Sequence, residues 1–373
     1  MIVGLTDIIN FIAIFQLFVF TLFLCLKKPR RLSNILLAVF LSSQILILAN
    51  AEFFGFYNYI YSNCPHLFYI GMPFFFIAAP SFYLYVKSLA FSDFKLNKKH
   101  ILHLLPFLTA FLLITFTYHI YSAETKRALL ANGTYILQTY RWLFHLSVHV
   151  CLLVYNIASL IILGNYRKKI KQEYSSVERI NLSWLGFILY GFMLAWCTSI
   201  ISFISYPFNV EAQSTINLIN TLAFFFFFNF IFFKALIQPD IFIGIKEMSA
   251  QKRPFLSKKL EERYISKLLN YMDTEKPFMN PEITLFNLAR KVSIPHRALS
   301  EIINNSLNQN FYDFINSYRI KESKRMLEDK ENRRKTVLEI LYAVGYNSKS
   351  SFNVAFKKHT RMTPSQFKKM HQN

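Results

Sequence analysis

Seven stretches before residue 237 are each long and apolar enough to cross a bilayer, and this restricts the chain more than any other feature. A spanning helix needs about 20 mainly apolar residues, because hydrocarbon offers no partner for an open backbone group. The stretches are Ile8–Leu26, Leu32–Phe54, Tyr69–Ala90, Ile101–Ile120, Tyr140–Tyr166, Leu182–Ser205 and Ile216–Leu236. No stretch after Leu236 approaches that length. The first is expected to remain a span rather than a cleaved signal peptide. Residues 1–7 hold no Lys or Arg, and the basic residues Lys27, Lys28, Arg30 and Arg31 follow the apolar run instead of preceding it.

Charge sets the expected orientation, since Lys and Arg near helix ends collect on the cytoplasmic side. The loop after the first span carries the four residues just named. The connection after the third carries Lys87, Lys95, Lys98 and Lys99, and that after the fifth carries Arg167, Lys168, Lys169, Lys171 and Arg179. The opposite loops hold only Lys126, Arg127 and Arg141, so thirteen cations face three. The N-terminus is therefore expected outside, and an odd number of spans sends everything after Leu236 into the cytoplasm. Missing one span would break the alternation.

Gln238-Pro239-Asp240 ends the last span, because Pro cannot continue a helix. The segments after about Phe255 are short, amphipathic and charged. Residues 241–373 carry 25 Lys/Arg and 13 Asp/Glu. With the whole chain at +21, such an excess suits anionic partners: lipid head groups, nucleic acid, or both. The expected division is a membrane domain over 1–236, a linker over 237–256 and a cytoplasmic domain over 257–373.

Within that last part, Ser257–Met272 has Leu260, Tyr264, Leu268 and Tyr271 at helical spacing. Thr284 is a candidate N-cap for a short helix with Leu285, Leu288 and Val292 on one face. Ser293-Ile294-Pro295 breaks it. A second helix from His296 to about Asn304 turns Ala298, Leu299, Ile302 and Ile303 inward, and Arg297, Ser300, Glu301 and Asn304 to the opposite side. Two short helices joined by a tight turn form a helix-turn-helix pattern. The pattern recurs. Thr336–Val344 turns Val337, Ile340 and Val344 inward, Gly345-Tyr346-Asn347 is the turn, and Ser348–His359 buries Phe352, Ala355 and Phe356. Ser350, Asn353 and Lys357 face outward there, with Lys349 and Lys358 flanking them. Between the units, Phe311–Leu327 has a core stripe of Phe311, Phe314, Ile315, Tyr318 and Met326. A helix of that length, about 25 Å, could set two recognition helices in neighbouring major-groove segments about one turn apart.

These residues resemble the DNA-binding domain of the AraC/XylS family of bacterial transcription regulators over about residues 258–371. The most specific part is Ala343-Val344-Gly345-Tyr346, then Ser351-Phe352, Phe356-Lys357-Lys358 and Thr363-Pro364-Ser365-Gln366-Phe367. Leu288-Ala289, Arg297, Leu299-Ser300 and Tyr318-Arg319-Ile320 carry it in the first unit. The resemblance implies two helix-turn-helix units joined by a long helix, and some members also carry several N-terminal spans. It implies promoter DNA as partner, RNA polymerase as a further one, and a bacterial cytoplasmic membrane as location. Arg361 stands where the family usually has Gly, which would put Arg in an unfavourable conformation or require a different exit from the helix. Asn308 holds the equivalent place in the first unit and tolerates that conformation better. Leu341 replaces a small Ala.

The expected DNA contacts are His296, Arg297, Ser300, Glu301 and Asn304 from the first recognition helix, and Ser348, Lys349, Ser350, Asn353, Lys357 and Lys358 from the second. Arg suits guanine edges, Asn suits adenine, and Lys suits phosphates. The competing reading of each stripe is a solvated helix face. The sequence has no Walker loop, HExxH, G-x-S-x-G or kinase motif, so no catalytic residue, cofactor or metal is expected. The four cysteines have no metal spacing and are expected to be structural. His145 and His149 share a face of the fifth span, where hydrogen bonding between helices is a plainer reading than a metal or proton sensor. Phe224–Phe228 reads as packing or lipid-facing, and Asn132-Gly133-Thr134 as a turn.

The fold expected is all-α, a seven-helix transmembrane bundle followed by two helix-turn-helix units. The function expected is a membrane-tethered one-component DNA-binding regulator of asymmetric tandem sites, responding to an unknown signal ligand. Membrane lipid is a further partner. A homodimer is compatible with the spans or linker, though no heptad pattern marks one. The alternative is a multipass receptor or transporter whose basic domain docks on anionic lipid or a protein.

Overall fold

The computed structural model describes residues 4–28, 31–132, 141–178, 180–205, 213–237 and 257–372. The linker with Gln238-Pro239-Asp240 and Phe255, the pair Gly133-Thr134, and Arg30 and Arg179 lie outside these residues. The protein is all-α, with no strand among the described residues. It divides into two compact units. One comprises Met1–Gly164 with Ser183–Glu247. The other comprises Asn165–Leu182 with Met248–Asn373.

Among the described residues, seven helices or helical runs are long and apolar enough to cross a membrane. Their main α segments are α1 (Leu5–Leu26), α2 (Leu32–Gly55), α3 (Phe75–Ala90), α4 (Leu105–Ile114), α5 (Arg141–Glu173), α6 (Ser183–Ser205) and α7 (Gln213–Ile237). Three differ from the sequence expectation in outline. Helix α3 starts only at Phe75, after a 3-10 turn over Met72–Phe74, because Tyr69 takes a left-handed conformation (φ 68°) inside the expected Tyr69–Ala90. The run containing α4 begins as a 3-10 turn at Lys98 and ends as a π turn at His119. Helix α5 continues seven residues past Tyr166 to Glu173, because a helix leaving an apolar phase does not have to stop at a charge.

A short helix in this unit, Ala123–Asn132, is fastened in place by two cations. Lys126 is fully buried, and its Nζ donates to the carbonyls of His119 (2.9 Å) and Tyr121 (2.6 Å). Arg127 donates to the carbonyls of Tyr61 (3.0 Å) and Ser62 (2.8 Å). Two of the three cations assigned to the outer loops thus serve as backbone fasteners. The four thiols are unpaired.

The second unit is built from α8 (Lys258–Thr274), α9 (Leu285–Lys291), α10 (His296–Glu301), α11 (Phe311–Glu328), α12 (Val337–Ala343), α13 (Lys349–Thr360) and α14 (Pro364–Gln372). It has two cores. One gathers Leu268, Leu285, Leu288, Leu299, Ile302, Ile303, Phe311 and Ile315. The other gathers Ile340, Leu341, Val344, Phe352, Phe356 and Phe367. These include most of the stripes read from helical periodicity. Leu260 is the exception, at 36% exposure near the start of α8. Leu341 is fully buried, so the larger side chain is accommodated.

The caps explain why the helices start where they do. The Thr284 hydroxyl accepts from the Asn287 amide at 3.2 Å. Thr336 and Glu339 form a reciprocal capping box: Glu339 accepts the Thr336 amide at 2.6 Å, and Thr336 accepts the Glu339 amide at 3.1 Å. Thr363 and Gln366 repeat the arrangement, with Pro364 at the first helical position, where its missing N–H costs nothing. Thr336→Ala should cost about 1 kcal/mol. Faster hydrogen exchange in α12, with α9 unchanged, checks this.

Candidate nucleic-acid interface

Each half of the second unit pairs a supporting helix with the helix expected to be its recognition helix, α9 with α10 and α12 with α13. In the first half, Ser293 takes a left-handed conformation (φ 49°), and Pro295 follows as the cap of α10. Helix α10 is α-helical only to Glu301. Its last turn widens into a π turn over Ile302–Ser306, which keeps both Ile302 and Ile303 buried. Asn308 then turns left-handed (φ 51°).

In the second half the turn residue is Gly345, at φ 92°. A Cβ there would lie 2.6 Å from the Phe278 carbonyl oxygen and 2.7 Å from that of Met279, so only Gly fits. Helix α13 ends on Arg361 in the left-handed conformation (φ 61°). The chain leaves the helix as it would with Gly, at the steric cost expected for a longer residue.

Helix α11 runs 18 residues, about 27 Å, between the halves. Arg319 lies on it and is 1% exposed. Its guanidinium donates to the carbonyls of Phe278 (2.7 Å) and Asn280 (2.9 Å) and lies over the Tyr346 ring at 5.4 Å. It therefore joins the segment before α9 to the turn before α13. Burial lowers its pKa to about 10, opposed by Tyr346, Glu178 and Tyr312, so it is charged at neutral pH.

The expected contact residues fall into two groups. On α13, Lys349, Ser350, Lys357 and Lys358 are exposed, and Ser348 and Asn353 are half-buried. Ser348 caps this helix, accepting from the Ser351 amide. Lys358 pairs with Asp313 at 2.9 Å. Burial would raise the Asp313 pKa, but hydrogen bonds from Lys358 and Asn310 outweigh it and hold the carboxyl below its ordinary range. On the first recognition helix, His296, Arg297, Ser300, Glu301 and Asn304 are all half-buried rather than open. Asn304 donates to the Ser300 carbonyl at 2.7 Å. His296 Nε2 lies 3.0 Å from Glu173. Glu301 Oε2 is buried and has no hydrogen-bond partner among the described residues.

The sequence reading missed Val354, which is 69% exposed on α13 beside Ser350 and Lys357. Its signal was an apolar residue off the core stripe. An exposed aliphatic on a recognition helix has the chemistry to meet a thymine methyl.

Paired helices of this kind, each with a polar outer stripe, define a helix-turn-helix protein. Residues 288–370 match the family described as a helix-turn-helix domain, of the AraC type. This is a family of DNA-binding regulators of transcription, not of enzymes. No curated protein and no solved structure matches the chain.

Proposed function

We propose that the chain is a membrane-tethered, sequence-specific transcription regulator, a one-component sensor whose spans bias how α10 and α13 meet DNA. The observation that carries this reading is the presence in one chain of seven helices apolar enough to span a membrane and a helix-turn-helix domain of regulator type. The charge alternation supports an outside N-terminus and a cytoplasmic C-terminus.

The signal site belongs in the first unit. A cavity of about 320 Å³ lies there among α1, α2, α3, α5, α6 and α7. Polar side chains line it, among them Gln44, His145, His149 and Asn220, with Trp196 and Phe228 as aromatic wall. His149 is buried, and its Nδ1 has no hydrogen-bond partner among the described residues. Such a lining suits a small, uncharged molecule with a polar end.

The site read should be asymmetric, with two elements about one turn apart, because the recognition helices stand in tandem. Arg297→Ala should cost about 1–3 kcal/mol on the preferred sequence and relax the choice at one base. Lys358→Ala should weaken all sequences alike and reduce the salt slope by about one. Titration of duplexes with the full chain in lipid nanodiscs, at several salt concentrations, measures both. A shallow slope, or variants with the parent's sequence profile and affinity, would count against this interface.

A further inference from the structure

The end of α5 and the loop that follows it, residues 167–182, carry five Lys or Arg and just two acidic residues, Glu173 and Glu178. Each lies against a different recognition helix. Glu173, the last residue of α5, places Oε2 3.0 Å from Nε2 of His296, the first residue of α10. Glu178 accepts from the Ser176 hydroxyl, and Ser351, in the first turn of α13, is among the groups that lower its pKa. Burial would raise that pKa, but the two serine hydroxyls and the Arg319 charge outweigh it and hold the carboxyl below its ordinary range.

The chain between the two acids is pinned down. The Ser175 hydroxyl donates to the Ile283 carbonyl at 2.7 Å, and the Ser175 amide donates to the same oxygen at 3.4 Å. Tyr174 bridges to Thr284, the cap of α9. The buried Arg319 returns two hydrogen bonds, from Nη1 to the Ser175 carbonyl and from Nη2 to its hydroxyl, both at 3.3 Å. This segment is part of the compact second unit, although covalently it joins two spans.

A recognition helix presents its N-terminal residues to the groove. At those ends of α10 and α13 this chain has already placed two carboxylates, one on the expected contact residue His296 and one near Ser351. We infer that residues 173–178 are a built-in competitor for DNA, an acidic segment seated across both recognition helices that must lift before a duplex can engage them. The inference rests on the DNA-binding reading proposed above. It also gives the spans a route to that interface. Glu173 ends the same unbroken helix that forms the fifth span, so movement of that helix bears directly on the segment.

The test compares the full chain with Glu173→Gln, Glu178→Gln and the double variant, all in nanodiscs. The probe is the duplex enriched from a random pool by the parent and the double variant together. Glu331→Gln removes one negative charge from an exposed position elsewhere in the unit and serves as the charge control. The double variant is expected to bind about ten-fold tighter than the parent, with the same sequence profile. Each single variant should lie between them, and Glu331→Gln should stay close to the parent. Hydrogen exchange adds a second readout: amides 174–178 in the parent should lose protection when saturating duplex is added. Equal or weaker binding by the double variant, or unchanged protection with DNA bound, overturns the inference and makes the segment a brace. If no chain prefers any sequence, the DNA-binding reading itself fails. That result is distinct, because the enriched duplex would not exist.

Discussion

Gly345→Ala is expected to unfold the second half of the DNA-binding unit. The glycine sits at φ 92°, and an added Cβ would come within 2.7 Å of two backbone oxygens, those of Phe278 and Met279. Left-handed backbone costs an ordinary residue about 1–2 kcal/mol. Crowding against backbone adds about 1–3 kcal/mol, because carbonyls cannot turn aside as a flexible side chain can. The combined penalty, about 3–4 kcal/mol, is a large part of what a small unit has to spare. The oxygens belong to the first half, so the substitution also pushes the halves apart. Hydrogen exchange on the full chain should show α12 and α13 losing protection while α1 to α7 are unchanged. Loss of less than about 1 kcal/mol would mean that the turn relaxes freely, contrary to the close approach described.

Arg319→Met should have an effect of similar size but a wider reach. The side chain is about the right length to fill the space, so the loss is mainly one of hydrogen bonds and the Tyr346 contact. The carbonyls of Phe278, Asn280 and Ser175 all lose a charged donor. An acceptor left buried without a partner costs about 1–3 kcal/mol, so a total of about 3 kcal/mol or more is expected. Exchange should rise in three places together: before α9, around Tyr346, and over residues 174–178. Gly345→Ala should spare the third. A loss confined to one half would show that Arg319 does not tie the three segments.

The parts of this structure that were legible in the sequence are those governed by local rules. The seven apolar runs, the inward faces of Leu285, Leu288 and Leu299 and of Phe352 and Phe356, the cap at Thr284 and the turn at Gly345 follow from periodicity, capping and backbone sterics. Arg361 was identified from sequence as a residue that would need either a left-handed backbone or another exit, and it takes the first. What was not legible depends on pairing across distance. Nothing in the residues around Lys126 shows that its ammonium folds into the carbonyls of His119 and Tyr121. Nothing in the loop after the fifth span shows that Glu173 reaches His296, 123 positions away. Helical spacing alone makes the first recognition stripe an open face, but its residues are half-buried, because spacing fixes direction and not what packs alongside.

The most direct measurement is selection from random duplex DNA with the full chain in nanodiscs, parent and Glu173→Gln/Glu178→Gln in parallel. The control carries Ala at Arg297, Asn353 and Lys357. An enriched site with two unlike elements about 10–10.5 base pairs apart, lost by the control, is expected. No enrichment by either chain, together with salt-sensitive binding to anionic vesicles, would contradict it and assign the basic charge to the membrane surface.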